Sequence, residues 1–461
     1  MRFDVVIRGG TIVTAESTVR GDIGIENGRI AAIASDLPAD GAREIDASGL
    51  LVTPGAIDAH THFETSVGTA GTADDYESGS RAAAAGGITT FLNFAFQTRG
   101  QTLRSTVEAE MAKGRDSSHL DYGFHVVITD PDPPGILDEV GSLADEGFSS
   151  LKIFTAVTDF CLTDAQVLRV LERAARERVM VSVHAEDEAL IAHLTGRLLA
   201  AGRTGVPHLA EARPALAEAL ATARVAGYAS AVGCAVYFVH LSSRQALMAV
   251  RDARAEGGQI YVETRPAYLY LDSSRYQLPD REGNKYVCWP PLRDREDQEA
   301  LWLGLRNGEI QTYATDHTTW MADQKTNPEL SFAEVPGGIS NVQTSVGMLY
   351  AEGVRKGRIS VNQFVAVCAT NPAKLFGLWP AKGTLAPGSD ADILLIDPER
   401  RFHVESRLME SRSDFDPYEG YETVGWPSTV IAGGEVIVEQ GRVLSRPGRG
   451  RLLRRSRYQP L

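Results

Sequence analysis

The sequence has few cysteines and no long apolar run, and both shortages narrow the class of protein it can encode. The cysteines among its 461 residues are scattered at positions 161, 234, 288 and 368, a spacing that fits neither a zinc knot nor a disulfide framework. No stretch approaches the roughly 18 consecutive apolar residues of a membrane span, and the first residues lack the pattern of a secretion signal. We therefore expect a cytoplasmic protein with no membrane partner.

An excess of basic residues is also absent. Lys and Arg number 46 against 60 Asp and Glu, which gives a formal net charge of −14 and a pI near 5.3. Such a charge opposes binding to nucleic acid and to anionic membranes, so a small-molecule substrate is expected. The exception is the C-terminal segment, with seven arginines between Arg442 and Arg457. For this segment we predict a solvated tail or an arm on a neighbouring subunit.

The centre of the chain alternates apolar strands with amphipathic helices. Helical stretches such as "TDAQVLRVLERAARER" have apolar residues three and four apart. The strand segments between Leu50 and about Leu378 are "LVTPGAIDAH", "ITTFLNFAF", "YGFHVVI", "SSLKIFTA", "VMVSVHAE", "AVYFVHLS", "QIYVETRP" and "IQTYATDH". Eight such strand and helix units predict an α/β fold, a TIM-type (β/α)8 barrel.

The two ends of the chain share a different pattern. Residues 1–54 and the segment that follows residue 378 contain short alternating strands with Asn-Gly and Gly-Gly turns. We predict that residues 1–54 and 379–461, the latter including the basic tail, form one composite β-sandwich domain. Residues 55–378 would then fold as the barrel, inserted between its two parts.

Residues with metal-binding side chains stand at the predicted strand ends, where barrels of this type place their catalytic groups. They are His60 and His62 after strand one, Lys152 in strand four, His184 in strand five, His240 in strand six and Asp316 in strand eight. Each alone has an ordinary explanation: a histidine can be hydrogen-bonded in a core, and an aspartate can cap a helix. Together they predict a metal site, because so many polar groups at one barrel mouth must all find partners.

Lys152 is the unusual member, since the surrounding "SSLKIFTA" has the composition of a buried strand. An ordinary lysine there would extend to solvent or pair with a carboxylate. Desolvation, however, lowers the pKa of a lysine, and the neutral amine can react with carbon dioxide. The resulting carbamate has two oxygens and a negative charge, so it can bridge two divalent metal ions.

The combined segments resemble the cyclic amidohydrolases, the dihydropyrimidinase and D-hydantoinase family of the amidohydrolase superfamily. The resemblance covers nearly the whole chain and rests on "PGAIDAHTHFE", "SLKIFTA", "VHAEDE", "VHLSS", "TYATDH" and "NPAKLFGLWPAKGTLAPGSDADILLIDP". It implies two Zn²⁺ ions and a homo-oligomer, a tetramer or a dimer. One ion would be held by His60, His62, carbamylated Lys152 and Asp316, and the other by Lys152, His184 and His240.

The activity that the resemblance implies is hydrolysis of a ring amide in a cyclic ureide or imide, such as a hydantoin or dihydropyrimidine, to an N-carbamoyl amino acid. Asp316 would take a proton from the attacking water and pass it to the leaving nitrogen. An allantoinase-like or other cyclic amide hydrolase is one alternative, because "PGGISNVQTS" also resembles that group. A non-catalytic scaffold related to dihydropyrimidinase is another, although such scaffolds lack metal ligands that are present here.

Three positions are predicted to contact the substrate, and two depart from the family pattern. Val157 stands where dihydropyrimidinases usually have a tyrosine that helps to hold the oxyanion, and Trp289 where they usually have a serine. Gly337, in the "PGGIS" segment, is the third. An indole facing the pocket would narrow it or supply a new contact, whereas an indole facing away would leave only the Trp289 backbone at the site.

Overall fold

Three groups of strands follow one another in the computed structural model, which describes residues 2–67 and 70–461. The first group is β1 (Val5–Val13), β2 (Thr18–Glu26), β3 (Arg29–Ala34), β4 (Arg43–Asp46) and β5 (Leu51–Pro54). The second is β6 (Ala56–Asp58), the short pair β7 (Ser66–Val67) and β8 (Ala70–Gly71), β9 (Ile88–Phe96), β10 (Asp121–Val127), β11 (Ser150–Phe154), β12 (Met180–His184), β13 (Val236–Phe238), β14 (Ile260–Thr264) and β15 (Thr312–Tyr313). The third is β16 (Ile393–His403), β17 (Glu422–Ala432), β18 (Glu435–Glu439) and β19 (Arg442–Val443).

The second group, apart from β7 and β8, forms the predicted barrel. Its eight strands are parallel and lie side by side in chain order from β6 to β15. The two edges approach each other where His62 N donates to His317 O at 2.9 Å, beside a parallel bridge between Thr61 and His317. The first predicted strand is in fact two: residues 51–54 join the terminal sheet and only residues 56–58 enter the barrel.

The first and third groups form one nine-stranded sheet, as predicted for the two ends of the chain. Its order is β19-β18-β17-β16-β5-β1-β2-β3, with β4 paired to β1, and the two ends of the chain meet where β5 pairs antiparallel with β16. A separate hydrophobic core is enclosed by residues of both ends, among them Ile7, Ile23, Val52, Ile393 and Ile431. The composite β domain is therefore confirmed, and the domain boundaries after residues 54 and 378 stay a prediction.

The helices of the described residues lie mainly between the barrel strands and after the last of them. They are α1 (Tyr76–Ala85), α2 (Leu103–Gly114), α3 (Glu139–Asp145), α4 (Asp164–Glu177), α5 (Glu188–Ala200), α6 (Leu209–Ala212), α7 (Ala215–Val232), α8 (Arg244–Ala255), α9 (Pro266–Tyr270), α10 (Arg295–Arg306), α11 (Ala322–Thr326), α12 (Ser345–Leu349), α13 (Val361–Val365) and α14 (Asn371–Leu375). None of these is long and apolar enough to cross a membrane.

The loops that follow strands β12 and β13 each end at a residue that caps the next helix. Asp187 accepts a hydrogen bond from Leu190 N at 3.0 Å and begins α5 three residues after His184. Ser243 accepts from Ala246 N at 3.2 Å and begins α8 three residues after His240. Because each cap satisfies a free N–H of the first helical turn, the chain turns sharply here and leaves both histidines at the barrel mouth.

The prediction of a solvated C-terminal tail is wrong, whereas a contact of this segment with a neighbouring subunit stays a prediction. The segment lies across the start of the chain's own barrel strands, where Tyr122 N donates to Arg451 O at 2.9 Å and Arg455 N to Gly147 O at 3.0 Å. Arg455 is buried and donates from Nη2 to Phe124 O at 2.6 Å and to Ser150 Oγ at 2.9 Å. Arginine supplies donors for groups that would otherwise lie unsatisfied beneath the barrel.

We expect Arg455→Ala to lower the free energy of unfolding by about 2 kcal/mol or more, because it removes buried charged donors and their packing. Urea denaturation followed by circular dichroism measures this change. Arg446→Ala is the matched control, since Arg446 is an exposed arginine of the same segment. Equal, small effects of the two substitutions would show that the tail does not stabilise the barrel.

Candidate active site

All six residues predicted as metal ligands lie together at the C-terminal ends of the barrel strands. They line one cavity of about 640 Å³, counted with its open mouth. The side chains around this cavity are His60, His62, Thr65, Phe96, Lys152, Phe154, Val157, Phe160, His184, His240, Trp289, Asp316 and Thr318, with the backbone of Gly337 and Gly338. The three residues predicted to contact substrate, Val157, Trp289 and Gly337, therefore line the same cavity as the predicted ligands.

Two histidines that follow strand one both contact a single carboxylate oxygen of Asp316, which follows strand eight. Asp316 Oδ1 lies 3.1 Å from His60 Nε2 and 3.1 Å from His62 Nε2, and the two imidazole nitrogens are 3.2 Å apart. Ligand atoms of His60, His240 and Asp316 all lie within 4.8 Å of one another. Convergence of buried nitrogen and oxygen donors at this spacing can hold a metal ion.

A second pair of imidazoles stands beside the first. His184 Nδ1 lies 3.0 Å from His240 Nε2, while the other ring nitrogen of His184 is 2.9 Å from Glu186 Oε2. Burial lowers the pKa of His62 to about 4, against the opposing effect of Asp316, and lowers the pKa of His240 well below its usual range. These rings are therefore neutral at pH 7 and have lone pairs for a metal.

Lys152 lines the same cavity, and its amine is not paired with a carboxylate in the described residues. The amine is fully buried, 5.0 Å from the ring centre of Phe94 and 4.9 Å from that of Phe154, and has no hydrogen-bond partner among residues 2–67 and 70–461. Burial lowers its pKa to about 7, although Glu263 and Asp316 act in the opposite direction. A buried amine without a partner, surrounded by imidazoles, fits a pair of metal ions bridged by its carbamate.

Several residues that hold the predicted ligands were missed by the sequence reading. Glu263, in β14, accepts from His60 Nδ1 at 2.7 Å and from His240 N at 2.8 Å. Because Nδ1 of His60 then carries the proton, its Nε2 is left to face the cavity. On the other side of the site, Arg213 binds Glu186, which in turn binds His184. The signal that was available is position: Glu263 and Glu186 both stand at strand ends, in "VETR" and "VHAED".

Arg265 was missed as well, although it touches the predicted catalytic residue. It is fully buried and forms an ion pair with Asp316 Oδ2. Burial alone raises the pKa of Asp316, but the charge of Arg265 and the contacts with His60 and His62 outweigh this and hold it well below its usual range. Asp316 is therefore a carboxylate at neutral pH.

One wall of the cavity is apolar and made by Val157, Phe160 and Trp289. Val157 has φ of 73°, a left-handed conformation uncommon for a β-branched residue, and its N–H donates to Glu188 Oε2 at 3.1 Å. The Trp289 indole faces the cavity: a Cβ atom added at Gly337 would lie 2.9 Å from Trp289 Cδ2. The indole thus packs against Gly337, another residue that lines the cavity, and its contact with substrate stays a prediction.

Comparisons with known proteins agree with this geometry. The model of the amidohydrolase family matches residues 51–437. D-hydantoinase of Rhizobium radiobacter is 40% identical over 457 residues, which cover 99% of both chains, and D-hydantoinase of Geobacillus stearothermophilus is 38% identical over 458 residues, 98% of this chain and 97% of that one.

Solved structures give the same result. The crystal structure of dihydropyrimidinase from Brevibacillus agri superposes with a TM-score of 0.96 and 37% identity over 98% of this chain and 99% of the other. L-hydantoinase from Arthrobacter aurescens does so with a TM-score of 0.89 and 28% identity over 98% and 100%. The chain therefore belongs to the amidohydrolase family as an enzyme of the group that contains the hydantoinases and dihydropyrimidinase, as the residues at its strand ends predicted.

Proposed function

We propose that the protein hydrolyses a ring amide in a cyclic ureide or imide, a hydantoin or a dihydropyrimidine, and releases an N-carbamoyl amino acid. The observation that carries this proposal is the cluster of three buried imidazoles and one partly exposed imidazole, one carboxylate and one unpartnered buried amine around a single cavity. The relatives named D-hydantoinase and dihydropyrimidinase support it, because they match over nearly the whole chain.

The reaction depends on two divalent metal ions, Zn²⁺, held by the six predicted ligands. His60, His62, Lys152 and Asp316 would hold one ion, and Lys152, His184 and His240 the other, with Lys152 carbamylated by CO₂. Such ions polarise a carbonyl and make water acidic enough to attack at neutral pH. The neutral state of His62 and His240, the lowered pKa of Lys152 and the closeness of the donor atoms support this assignment.

Asp316 is the catalytic carboxylate of this proposal. Its Oδ1 faces both His60 and His62 at the cavity, where it can accept a proton from the attacking water and return it to the leaving ring nitrogen. The neighbouring wall contributes no donor from Val157, so it offers the substrate apolar contact and not a bond to its oxyanion.

The two alternative functions considered from the sequence have less support. An allantoinase-like enzyme shares the glycine pair at Gly337 and Gly338, which lines the cavity but has no side chain that could favour one ring over another. A non-catalytic scaffold is opposed by the complete set of predicted ligands. A homo-oligomer, a tetramer or a dimer, and a cytoplasmic location stay predictions.

The activity is tested by incubating Zn²⁺-loaded protein with dihydrouracil, 5-substituted hydantoins, allantoin and dihydroorotate and measuring ring opening. We expect hydrolysis of a hydantoin or dihydropyrimidine, loss of activity after chelation, and faster turnover of a substituted hydantoin than of dihydrouracil. Asp316→Asn should fold with lower stability, because Arg265 loses its ion pair, and should lose about 100-fold or more in kcat, the scale of a missing proton carrier. No ring opening of any of these compounds would refute the proposed activity.

Lys152→Ala should abolish bridging of the two metal ions. We expect this variant to lose most of its bound Zn²⁺ and its activity, and short carboxylic acids should restore part of the activity. The carbamate signal that wild-type protein shows in ¹³C NMR after incubation with ¹³C-labelled bicarbonate should be absent. Lys325→Met is the matched control: Lys325 is equally buried and burial also lowers its pKa to about 7, but its amine donates to Val287 O at 2.9 Å. Wild-type Zn²⁺ content in Lys152→Ala would contradict the bridging role.

Trp289 and Gly337 form the part of the wall where the shape of the substrate is selected. Their loops are tied together, since Gly338 N donates to Val287 O at 3.0 Å and the amine of Lys325 also donates to Val287 O at 2.9 Å. Trp320 Nε1 binds Gly337 O at 3.0 Å and fixes the second loop from behind. The indole occupies space that a side chain at position 337 would need, so a residue larger than glycine at 337 requires a smaller residue at 289.

We expect Gly337→Ala to reduce kcat/KM about tenfold or more, because the new methyl group overlaps a ring held on a rigid loop. Trp289→Ala should widen the cavity and raise the relative activity on bulky hydantoins, and the double variant should recover much of the Gly337→Ala loss. Gly205→Ala is the control, because an added Cβ there meets only Pro207 Cδ at 3.4 Å. Additive effects of Gly337→Ala and Trp289→Ala would contradict a direct steric contact between these two positions.

A further inference from the structure

Arg265 is a buried charged side chain near the active site with several unmade hydrogen bonds. Its side chain is 0% exposed, and apart from its ion pair with Asp316 its Nε and Nη2 atoms have no hydrogen-bond partner in the described part of the chain. Its guanidinium lies 5.0 Å from the ring centre of Tyr268. Burying a guanidinium with unmade hydrogen bonds is costly, so its one ionic contact is the feature that calls for an explanation.

Because of that contact, the two oxygens of the Asp316 carboxylate have different partners. Oδ2 is taken by Arg265, while Oδ1 lies 3.1 Å from both His60 Nε2 and His62 Nε2. Asp316 itself has φ of 50°, so the backbone also sets the direction of its side chain. Only one of its two oxygens is presented to the cavity.

β14 has no predicted metal ligand, yet the residues at its end hold ligands of other strands. Glu263 and Arg265 are two positions apart, and in extended chain such residues point to the same side. Glu263 fixes His60 through a 2.7 Å contact, and Arg265 fixes Asp316. The strand thus presents one negative and one positive charge, each paired with a different ligand.

We propose that Arg265 is a positioning residue, which reserves Oδ2 of Asp316 so that only Oδ1 faces the metal ions and the substrate. The metal ions in this statement rest on the proposed function. Without Arg265 both oxygens are free to bind a cation, and a positive charge that opposes cations nearby is removed. Loss of Arg265 therefore strengthens metal binding while it slows turnover, because a carboxylate bound through both oxygens is a poorer proton carrier.

The test compares Arg265→Met with Arg265→Lys. Zn²⁺ affinity is measured by competition with a chromophoric chelator, and kcat and KM are measured at saturating Zn²⁺. We expect Arg265→Met to bind Zn²⁺ about tenfold or more tightly. Its kcat should fall about 10- to 100-fold, the usual effect of losing a group that holds a ligand, with KM changed by about threefold or less. Arg265→Lys keeps the charge and should stay near wild type in Zn²⁺ affinity.

General damage to the protein would lower Zn²⁺ affinity instead of raising it, because a disordered site binds metal more weakly. Arg455→Met is the control for removing a buried arginine at the other end of the barrel, and it should lower stability without changing Zn²⁺ affinity. Folded Arg265→Met with unchanged or weaker Zn²⁺ binding would overturn the proposal. Wild-type protein that binds Zn²⁺ but opens no ring would refute the proposed activity alone, since the order of Zn²⁺ affinities still tests Arg265.

A second variant keeps the proposal testable if Arg265→Met does not fold. If it fails to fold, Arg265→Met combined with Asp316→Asn removes both buried charges and should restore the folded state. Arg265→Met should change Zn²⁺ affinity much less in the Asp316→Asn background than in the wild type, because only the loss of a nearby positive charge remains when there is no carboxylate to hold. An equally large change in both backgrounds would show that Arg265 acts independently of Asp316 and would overturn the proposal.

Discussion

The burial of ionisable groups at the mouth of the barrel is the constraint on which the active site depends. Lys152, Glu263 and Arg265 are almost entirely inaccessible to solvent, and each would be costly to bury alone. The cost is offset where opposite charges meet, as in the pairs of His60 with Glu263 and of Arg265 with Asp316. Lys152 alone has no such partner among the described residues, and this makes it chemically available.

The metal-binding cluster and the substrate wall are in contact through Arg213. Arg213 binds Glu186, which holds His184, and its guanidinium also lies 5.1 Å from the ring centre of Trp289. The wall also reaches His184 through aromatic contacts of Phe160 with Phe154 and of Phe154 with His184. Changes at the wall can therefore affect the orientation of the predicted ligands.

The far end of the barrel is stabilised by a second set of buried charges. Lys382 lies 3.0 Å from Asp121 of β10 and 2.5 Å from Asp392, so it joins the barrel to the segment that leads into the terminal sheet. Arg451 reaches Asp121 from the C-terminal segment at 2.8 Å. The barrel is thus held from below by both parts of the chain that follow it, while its mouth is left for chemistry.

The sequence by itself determined the barrel and predicted its metal ligands, because both follow from local patterns: apolar strands alternate with capped helices, and strand ends bring His60, Lys152 and Asp316 to one edge. It did not reveal that Leu51–Pro54 leave the barrel, since a continuous apolar run does not show which sheet each half joins. Arg455 was predicted to lie in a solvated tail and Arg265 was assigned no role, and only tertiary packing showed that both are buried. Which residue pairs with which buried charge depends on contacts across 51 positions for Arg265 and Asp316, and such distances leave no trace in local sequence.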